Sequence, residues 1–418
     1  MTRSLRLLGT AWLGAAALVL AGCGGSDDDT ESAAANPALT KSEIKIGLIV
    51  GQTGNTSSSD KSAADVALAW QKRVNAGDGI AGHPVRVIVK DDKGDAATAT
   101  SVAKEFLADP QILSITPQSS NTEQAIAGVL GGQEVAVIGA TGYQTKIWTA
   151  QPNYFPTGPQ AFPGTVVAQF AAAKSVGATK WASVYCAEVA ACKEATVLYG
   201  PASQQEGVQY VGSVAVSTTA PNYTAECLKL KNAGATLIQL SVAPAAGRKL
   251  ISDCKAQGYQ GFFGATAGAV NADLTRTPGI KLSGGIQGFP WWAEDAPVKE
   301  YRDTMKKYAP EADYANPGAT SVWSALEMTR KAAANLGDAP TRKDLVSGLH
   351  SIKDEDLGGL LAQKVTYTEG EPGPAINCLW LYKLENGEFS SAPLSGPSGN
   401  SVGSGTLKSD CMAAPKAG

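Results

Sequence analysis

The chain has 418 residues, of which 44% are hydrophobic and 17% charged, and its 35 Lys and Arg against 38 Asp and Glu give a net charge of −3. This length and composition predict a globular protein, long enough for two domains. The absence of a basic run argues against nucleic acid as a partner. Only two histidines occur, His83 and His350, which argues against metal sites and Ser-His-Asp chemistry.

The first segment has the layout of a secretory signal. Two arginines precede an apolar run from Leu7 to Leu20, which is too short for a comfortable membrane span. The stretch Leu20-Ala21-Gly22-Cys23 resembles the lipobox of bacterial lipoproteins. That resemblance implies removal of residues 1–22, a diacylated Cys23 as membrane anchor, and a flexible tether over residues 23–43. An ordinary cleaved signal with an incidental cysteine is the alternative.

The other six cysteines predict disulfides, since an even number of cysteines in an exported protein favours pairing. Six cysteines allow 15 connectivities. Their order along the chain suggests Cys186 with Cys192, Cys227 with Cys254 and Cys378 with Cys411. The last pair would pin a Gly/Ser-rich tail, residues 395–418, to the strand that holds Cys378. Metal ligation is the weaker alternative, because no C-x-x-C spacing occurs.

From Ile44 onward, short β-rich runs alternate with longer amphipathic runs, which predicts parallel sheets covered by helices. The first set of predicted elements is a strand at 44–50, a helix capped by Asp60 and running to about 74, a strand at 85–90, a helix at 96–107 capped by Asp95, a strand at 112–115, a helix at 122–130 and a strand at 135–138. A Pro/Gly-broken stretch over 152–163 then interrupts the pattern.

A second set repeats the rhythm. It comprises helices at 165–175, 194–205, 222–232 and 245–257 and strands at 181–185, 210–216, 237–241 and 261–263. Beyond residue 285 we predict helices at 298–308 and 318–335 and strands at 364–367 and 376–384. Two such sets joined by a crossing predict two lobes with a cleft between them.

Three stretches in order resemble one known family. Ile44-Lys45-Ile46-Gly47 with Thr53-Gly54 is similar to its opening strand and loop, Asn75 with Gly79-Ile80-Ala81-Gly82 to its first helix exit, and Asp91-Asp92 with Asp95 to its D-D-x-x-D turn. The family is the substrate-binding lipoproteins of branched-chain-amino-acid-type ABC transporters. Its type I periplasmic-binding-protein fold has two Rossmann-like α/β lobes with parallel central sheets, joined by a three-strand hinge.

The resemblance covers about residues 44–390. It implies one lobe from 44–155 plus about 290–357, and a second from 156–289 plus about 358–394. It also implies a monomeric receptor on the outer face of the cytoplasmic membrane, without a cofactor, that closes on a small polar ligand and presents it to permease subunits. A sensory receptor of the same fold is the alternative. A hydrolase is disfavoured, because no nucleophile elbow or P-loop occurs.

The resemblance places a ligand carboxylate on the turn Gln118-Ser119-Ser120, at the start of a helix whose free N–H groups suit an anion. Ser120 and Glu123 could equally form a capping box for that helix. The turn Ala140-Thr141-Gly142 is expected to contact the ligand's α-substituents. Thr53, in the first loop, follows the carboxyl end of the opening strand, where clefts of this architecture form.

On the second lobe the chain departs from the family pattern. The family's ammonium-pairing Glu falls within residues 264–268, where no acid stands. Because an unpaired ammonium is costly to bury, an ordinary α-amino acid is not expected unless Glu188 substitutes. Without such an acid, we expect a small carboxylate, amide or less polar ligand that contacts Thr266. Trp291 and Trp292 would either stack on the ligand or pack in the hinge.

Overall fold

The computed structural model describes residues 36–54, 56–119, 121–140, 142, 144–159, 162–188, 190–265, 269–394, 400–403 and 407–414. Four residues with predicted roles, Cys23, Ser120, Thr141 and Thr266, lie outside these ranges. So does the whole of the predicted signal peptide. Within the described ranges, no helix combines the length and the apolar character that crossing a bilayer requires.

The first part of the chain forms a five-stranded parallel sheet. Its elements are β1 (Ile44–Val50), α1 (Ser57–Asp60), α2 (Ser62–Ala76), β2 (Val85–Asp91), α3 (Ala96–Ala108), β3 (Ile112–Gln118), α4 (Glu123–Leu130), β4 (Ala136–Gly139), α5 (Thr145–Trp148) and β5 (Tyr154–Pro156). The strand order is β2-β1-β3-β4-β5. β3 is buried along its whole length, as expected for a parallel strand covered by helices on both faces.

The sequence predicts Asp60 and Asp95 as helix N-caps in this lobe, and the structure confirms only one of the two. Asp95 is the N-cap of α3 and accepts a hydrogen bond from Thr98 N at 2.8 Å, which confirms that prediction. The prediction for Asp60 is wrong: Asp60 is the last residue of α1, and Lys61 precedes α2 without a side-chain cap. Because helical backbone begins earlier, at Ser57, Asp60 lies inside the lobe and is only 1% exposed.

The second set of elements forms a second, larger sheet. They are α6 (Phe162–Ser175), β6 (Lys180–Cys186), α7 (Ala190–Glu194), a 3₁₀ turn (Ala195–Leu198), α8 (Tyr199–Glu206), β7 (Gln209–Val216), α9 (Thr224–Asn232), β8 (Leu237–Ser241), α10 (Pro244–Ala256), β9 (Phe262–Gly264), α11 (Ala272–Thr275) and β10 (Leu282–Ile286). The strands are parallel in the order β7-β6-β8-β9-β10. The two α/β lobes confirm the predicted fold class.

The last part of the chain returns to both lobes. Its elements are α12 (Ala296–Tyr308), α13 (Pro317–Ala332), α14 (Arg342–His350), a 3₁₀ turn (Leu357–Gly359), β11 (Cys378–Glu385), β12 (Glu388–Ser391), β13 (Asn400–Val402) and β14 (Ser409–Cys411). α12 and α13 pack on α2, and α13 and α14 pack on β3 and β4. β11 joins the second sheet antiparallel to β10, and β14 pairs with β11. The chain therefore crosses between the sheets three times.

The structure differs from the predicted elements mainly at short strands. Residues 364–367 do not form a strand, and Val365 makes only an isolated bridge with Glu355. β5 and β10 were not predicted. β5 has only three residues, one of them Pro156, and β10 contains Gly284, where a side chain would collide with the backbone oxygen of Ala265. β5 is therefore too short, and β10 too rich in glycine, to show the run of β-branched and aromatic residues by which strands are recognised.

The crossings are packed against one another. Tyr367 on the third crossing donates its hydroxyl to Pro156 O of the first at 2.7 Å. After the second crossing, Trp292 stacks on Phe389 with ring centroids 4.8 Å apart, and Trp291 meets the same ring edge-on at 5.0 Å. These contacts support hinge packing as the role of the two tryptophans.

The two ends of the described chain lie on different lobes. Residues 36–43 run along the first lobe: Asn36 donates to Gly77 O at 2.9 Å, and Ser42 Oγ donates to Asp338 O at 2.8 Å. His83 is fully buried beneath this segment, with its ring nitrogens 2.6 Å from Ser42 O and 3.0 Å from Gly337 O. The opposite end, β14, extends the second sheet through its pairing with β11.

Substitution of Gly139 tests the packing of α5 against β4. A methyl group there would collide with the buried ring of Trp148, so Gly139→Ala should lower the free energy of unfolding by roughly 1–3 kcal/mol through overpacking. Gly128→Ala is the matched control, because Gly128 lies within α4 with no atom within 4 Å of the new methyl, and it should stabilise by up to about 1 kcal/mol. Urea unfolding measures both, and equal effects would contradict the packing.

Candidate ligand-binding site

The carboxyl ends of β3 and β4 bring together the predicted ligand residues of the first lobe. Gln118 ends β3 and is 1% exposed, and Ala140 directly follows β4 and is equally buried. Gly142 is also buried. Ser119 is 6% exposed, and its hydroxyl has no hydrogen-bond partner within the described part of the chain. A buried hydroxyl without a partner is costly, which makes this position suited to a polar ligand atom.

Thr53 has a different environment from the one expected. It is exposed, and its hydroxyl donates to Asp91 Oδ2 at 2.6 Å while its amide donates to Oδ1 at 3.2 Å. Burial alone would raise the pKa of Asp91, but the hydrogen bonds from Thr53, Lys93 and Gln52 lower it below the ordinary value. Thr53 therefore fixes its own loop to the end of β2 through its hydrogen bonds to Asp91.

The capping box considered above for the start of α4 involves Ser120, which lies outside the described residues. The N-cap is Thr122, which makes no side-chain cap; its hydroxyl instead donates to Asp92 Oδ2 at 2.6 Å. The Glu123 carboxylate accepts from Gln144 N at 2.9 Å and from Trp148 Nε1. The Glu123 carboxylate therefore accepts from the amide just before α5 and from an indole N–H within that helix. Burial and the Glu123 carboxylate together raise the pKa of Tyr154.

Three buried acids lie at this edge of the first lobe, although the sequence analysis looked for an acid on the second lobe. Asp60, Asp92 and Glu123 are 1%, 0% and 5% exposed. Asp60 and Asp92 are near each other: a methyl group built on Gly51, after β1, would lie 3.3 Å from Asp60 Oδ2 and 3.6 Å from Asp92 Oδ1. The only sequence signal was the Asp91-Asp92 turn, which does not show which of its acids faces inward. In the described ranges, no group of three or more His, Cys, Asp or Glu could hold a metal ion.

On the second lobe, Glu188 is exposed and bonded to its own surroundings. It accepts from Ser217 Oγ at 2.7 Å and from Thr218 N at 2.9 Å. These hydrogen bonds, chiefly the one from Ser217, lower its pKa. Glu188 therefore links the loops after β6 and β7. Its loop is also held at Cys186 and Cys192, whose sulfur atoms are in bonding contact and whose Cα atoms are 6.0 Å apart.

Two polar contacts join the lobes beside the site. Asn271 Nδ2, on the second lobe, donates to Ser58 O of α1 at 2.8 Å, and Ala272 N donates to Asp313 Oδ2 at 3.3 Å. α1, which carries Asp60, is therefore in direct contact with the second lobe. Two open hollows of about 540 and 690 Å³ are lined by residues of the second lobe, and no predicted ligand residue lines either.

Sequence comparison agrees with this arrangement. The model of the periplasmic binding protein family matches residues 43–388. The chain belongs to the periplasmic binding protein family. No curated protein matches it by sequence. As a periplasmic binding protein it is a solute-binding receptor of the ABC-transporter type, and membership implies an extracytoplasmic location.

Solved structures of ABC-transporter binding proteins share the fold at low identity. LivJ of Streptococcus pneumoniae with isoleucine is 15% identical, with a TM-score of 0.69 over 85% of this chain and 100% of that one. A fatty acid ABC transporter substrate-binding protein from Thermomonospora curvata is 18% identical, with a TM-score of 0.67 over 85% of this chain and 93% of that one. A solute-binding protein of an ABC transporter from Rhodopseudomonas palustris, in complex with 3,4-dihydroxybenzoic acid, is 16% identical. Its TM-score is 0.68 over 89% of this chain and 99% of that one. At such identity these likenesses show the fold alone.

The bond between Thr122 and Asp92 provides a test of the site's internal support. Thr122→Val removes a donor from a fully buried carboxylate and should cost about 1.5–3 kcal/mol of unfolding free energy. Thr53→Val removes a similar bond to Asp91 at the surface, so it should cost less than about 1 kcal/mol. Urea unfolding at neutral pH compares the two variants. A larger loss for Thr53→Val would contradict the burial-dependent ranking.

Proposed function

We propose that this periplasmic binding protein is the receptor of an ABC importer that captures a small polar solute, amino-acid-like or a carboxylate or amide, between its lobes. The observation that carries the proposal is the Ser119 hydroxyl, buried yet without a partner, at the carboxyl edge of the first sheet. That edge adjoins α1, which contacts the second lobe. A solute bound there would therefore be reachable from both lobes when they close.

The lobes follow from the three crossings. We assign residues 44–155 and about 290–357 to the first lobe, and 156–289 and about 358–394 to the second. The return of α12–α14 to the first sheet and of β11 to the second supports this division. A hinge of three segments lets the lobes open and close as rigid bodies, with the solute as the bridge.

The first lobe supplies the core of the proposed site. Gln118, Ser119, Ala140 and Gly142 are brought together by the neighbouring strands β3 and β4. Ser120 and Thr141 belong to the same two turns, and Thr266 follows β9 on the second lobe. Thr53 and Glu188 are the less favoured members, because each already holds its own loop.

The proposed cellular setting follows from the amino-terminal segment. Processing before Cys23 and its diacylation would attach the protein to the outer face of the cytoplasmic membrane, close to the permease subunits that receive the solute. Such dual acylation supplies enough buried hydrocarbon for stable anchoring, which a single short chain does not.

Native mass spectrometry of the purified protein tests the solute-binding function directly. We expect a bound molecule whose mass identifies it. When that molecule is titrated into ligand-free protein, Ser119→Ala should lower its affinity by roughly 2- to 10-fold, as for loss of one hydrogen bond. Ser175→Ala is the control, since that hydroxyl bonds to Ala172 O at the end of α6. An unchanged affinity in Ser119→Ala would remove Ser119 from the site.

We further propose that the six paired cysteines are oxidised in the exported protein. Sulfur atoms are in bonding contact in all three expected pairs, Cys186 with Cys192, Cys227 with Cys254 and Cys378 with Cys411. Peptide mapping without reductant should recover three linked peptides from the wild type and only two from Cys186→Ser. A free thiol at Cys192 in the wild-type protein would contradict the first bridge.

A further inference from the structure

We propose that the imidazolium form of His83 holds the amino-terminal segment, residues 36–43, on the first lobe, and that the segment is released when the ring loses its proton. His83 precedes β2, so it lies at the amino edge of the first sheet, opposite the candidate ligand site. The inference therefore concerns a device that is separate from solute binding.

The first observation is the pair of oxygens that the ring contacts. Nδ1 of His83 lies 2.6 Å from Ser42 O, and Nε2 lies 3.0 Å from Gly337 O. A carbonyl oxygen can only accept a hydrogen bond, so both ring nitrogens have to donate. A neutral imidazole has one N–H and an imidazolium has two. Only the protonated ring satisfies both contacts, and their lengths suit charge-assisted hydrogen bonds.

The one hydroxyl near the ring does not supply a donor to a neutral imidazole. Ser42 Oγ lies 3.5 Å from Nδ1, but it donates its single proton to Asp338 O at 2.8 Å. In a neutral ring, one nitrogen would therefore face a carbonyl oxygen with no proton between them. Such an unsatisfied buried contact costs free energy, so loss of the proton weakens the attachment of the segment.

The charged side chains around His83 leave the ring as the group that responds to pH. They are Lys41 and Glu43 on the segment, Asp78 in the turn after α2, Arg86 on β2 and Asp338 after α13. Lys41 and Asp338 pair with each other at 3.1 Å, and no carboxylate in the described part of the chain forms an ion pair with the ring. Histidine is the side-chain type whose charge ordinarily changes between about pH 5 and 8.

The cover over His83 is thin, which makes a charged ring tolerable and a release possible. His83 itself is fully buried, but Ser42 and Gly337, whose carbonyl groups meet the ring, are exposed. A positive charge this close to water costs less than one in the core. Because the docked arrangement holds a proton that a released ring loses as pH rises, docking is strongest at acidic pH and weakens toward alkaline pH.

Few other contacts hold the segment, so the loss of one is significant. Asn36 donates to Gly77 O at 2.9 Å, and Leu39 packs beside Gly79. Ile44 then enters β1, which fixes the end of the segment. With the proposed lipid anchor at Cys23, release would add eight residues to the tether, at most about 29 Å of chain. This longer reach rests on the proposed anchor, whereas the release itself does not.

Nuclear magnetic resonance of the mature protein labelled with ¹⁵N-histidine tests the charge of the ring. The chain has only two histidines, and His350→Gln assigns their signals. We expect both ring nitrogens of His83 to be protonated at about pH 5.5, and one of them to lose its proton as the pH approaches about 8.5. This measurement uses the wild-type protein, so it stands even if a His83 variant does not fold.

Cleavage after Lys41 by lysyl endopeptidase tests the release. The rate at each pH is divided by the rate for a free peptide of residues 36–46. We expect this ratio to rise roughly tenfold or more from about pH 5.5 to about 8.5, as for loss of a hydrogen bond to a charged group. His83→Gln should abolish the pH dependence, because a Gln amide stays uncharged.

Asp338→Asn is the matched control, because it removes the ion pair with Lys41 and leaves His83 and its two carbonyl partners in place. It should raise the ratio by the same factor at both pH values and keep the pH dependence.

Three outcomes would overturn the inference. They are an unprotonated His83 nitrogen while Lys41 remains protected, a cleavage ratio that does not change with pH, and the same pH dependence in His83→Gln as in the wild type. None of them would affect the proposed solute-binding function, since the candidate ligand site lies at the other edge of the sheet.

Discussion

The common direction of the strands in each sheet is the constraint on which the site depends. Parallel strands place all their carboxyl ends at one edge, so residues far apart in sequence, such as Gly51, Asp92, Ser119 and Ala140, meet there. The three crossings then set the two lobes beside each other, where Asn271 reaches Ser58 of α1.

The regular elements of the two lobes could be predicted because each is long and strongly patterned. β1 and the strand Leu237–Ser241 match the expected ranges, and Asp95 caps its helix as predicted. Short strands such as β5 could not be predicted, because their pairing with a neighbouring strand, not their composition, makes them strands. Chain order suggested three cysteine pairs, and in each the sulfur atoms are in bonding contact.

The charge of the site could not be predicted in the same way. Asp60 looks like a helix cap in the sequence, and whether such an acid caps or is buried depends on where the preceding turn becomes helical. Helical backbone begins at Ser57, three residues before Asp60. Asp60 is therefore not a solvated N-cap but a buried residue beside Gly51. The family pattern directed attention to the second lobe, where Glu188 is the only acid between Cys186 and Cys192, but Asp60, Asp92 and Glu123 are buried on the first lobe.

The attachment of residues 36–43 to the first lobe has a mechanical consequence. With an anchor at Cys23, at most about 45 Å of chain separates the lipid from Asn36, which is fixed to the end of α2. Such an anchor would tether the first lobe directly and the second lobe only through the hinge, so closure would move the second lobe relative to the tethered one. A permease would then meet the first lobe at a distance from the membrane that the tether limits. The orientation of the second lobe would differ between the open and the closed receptor.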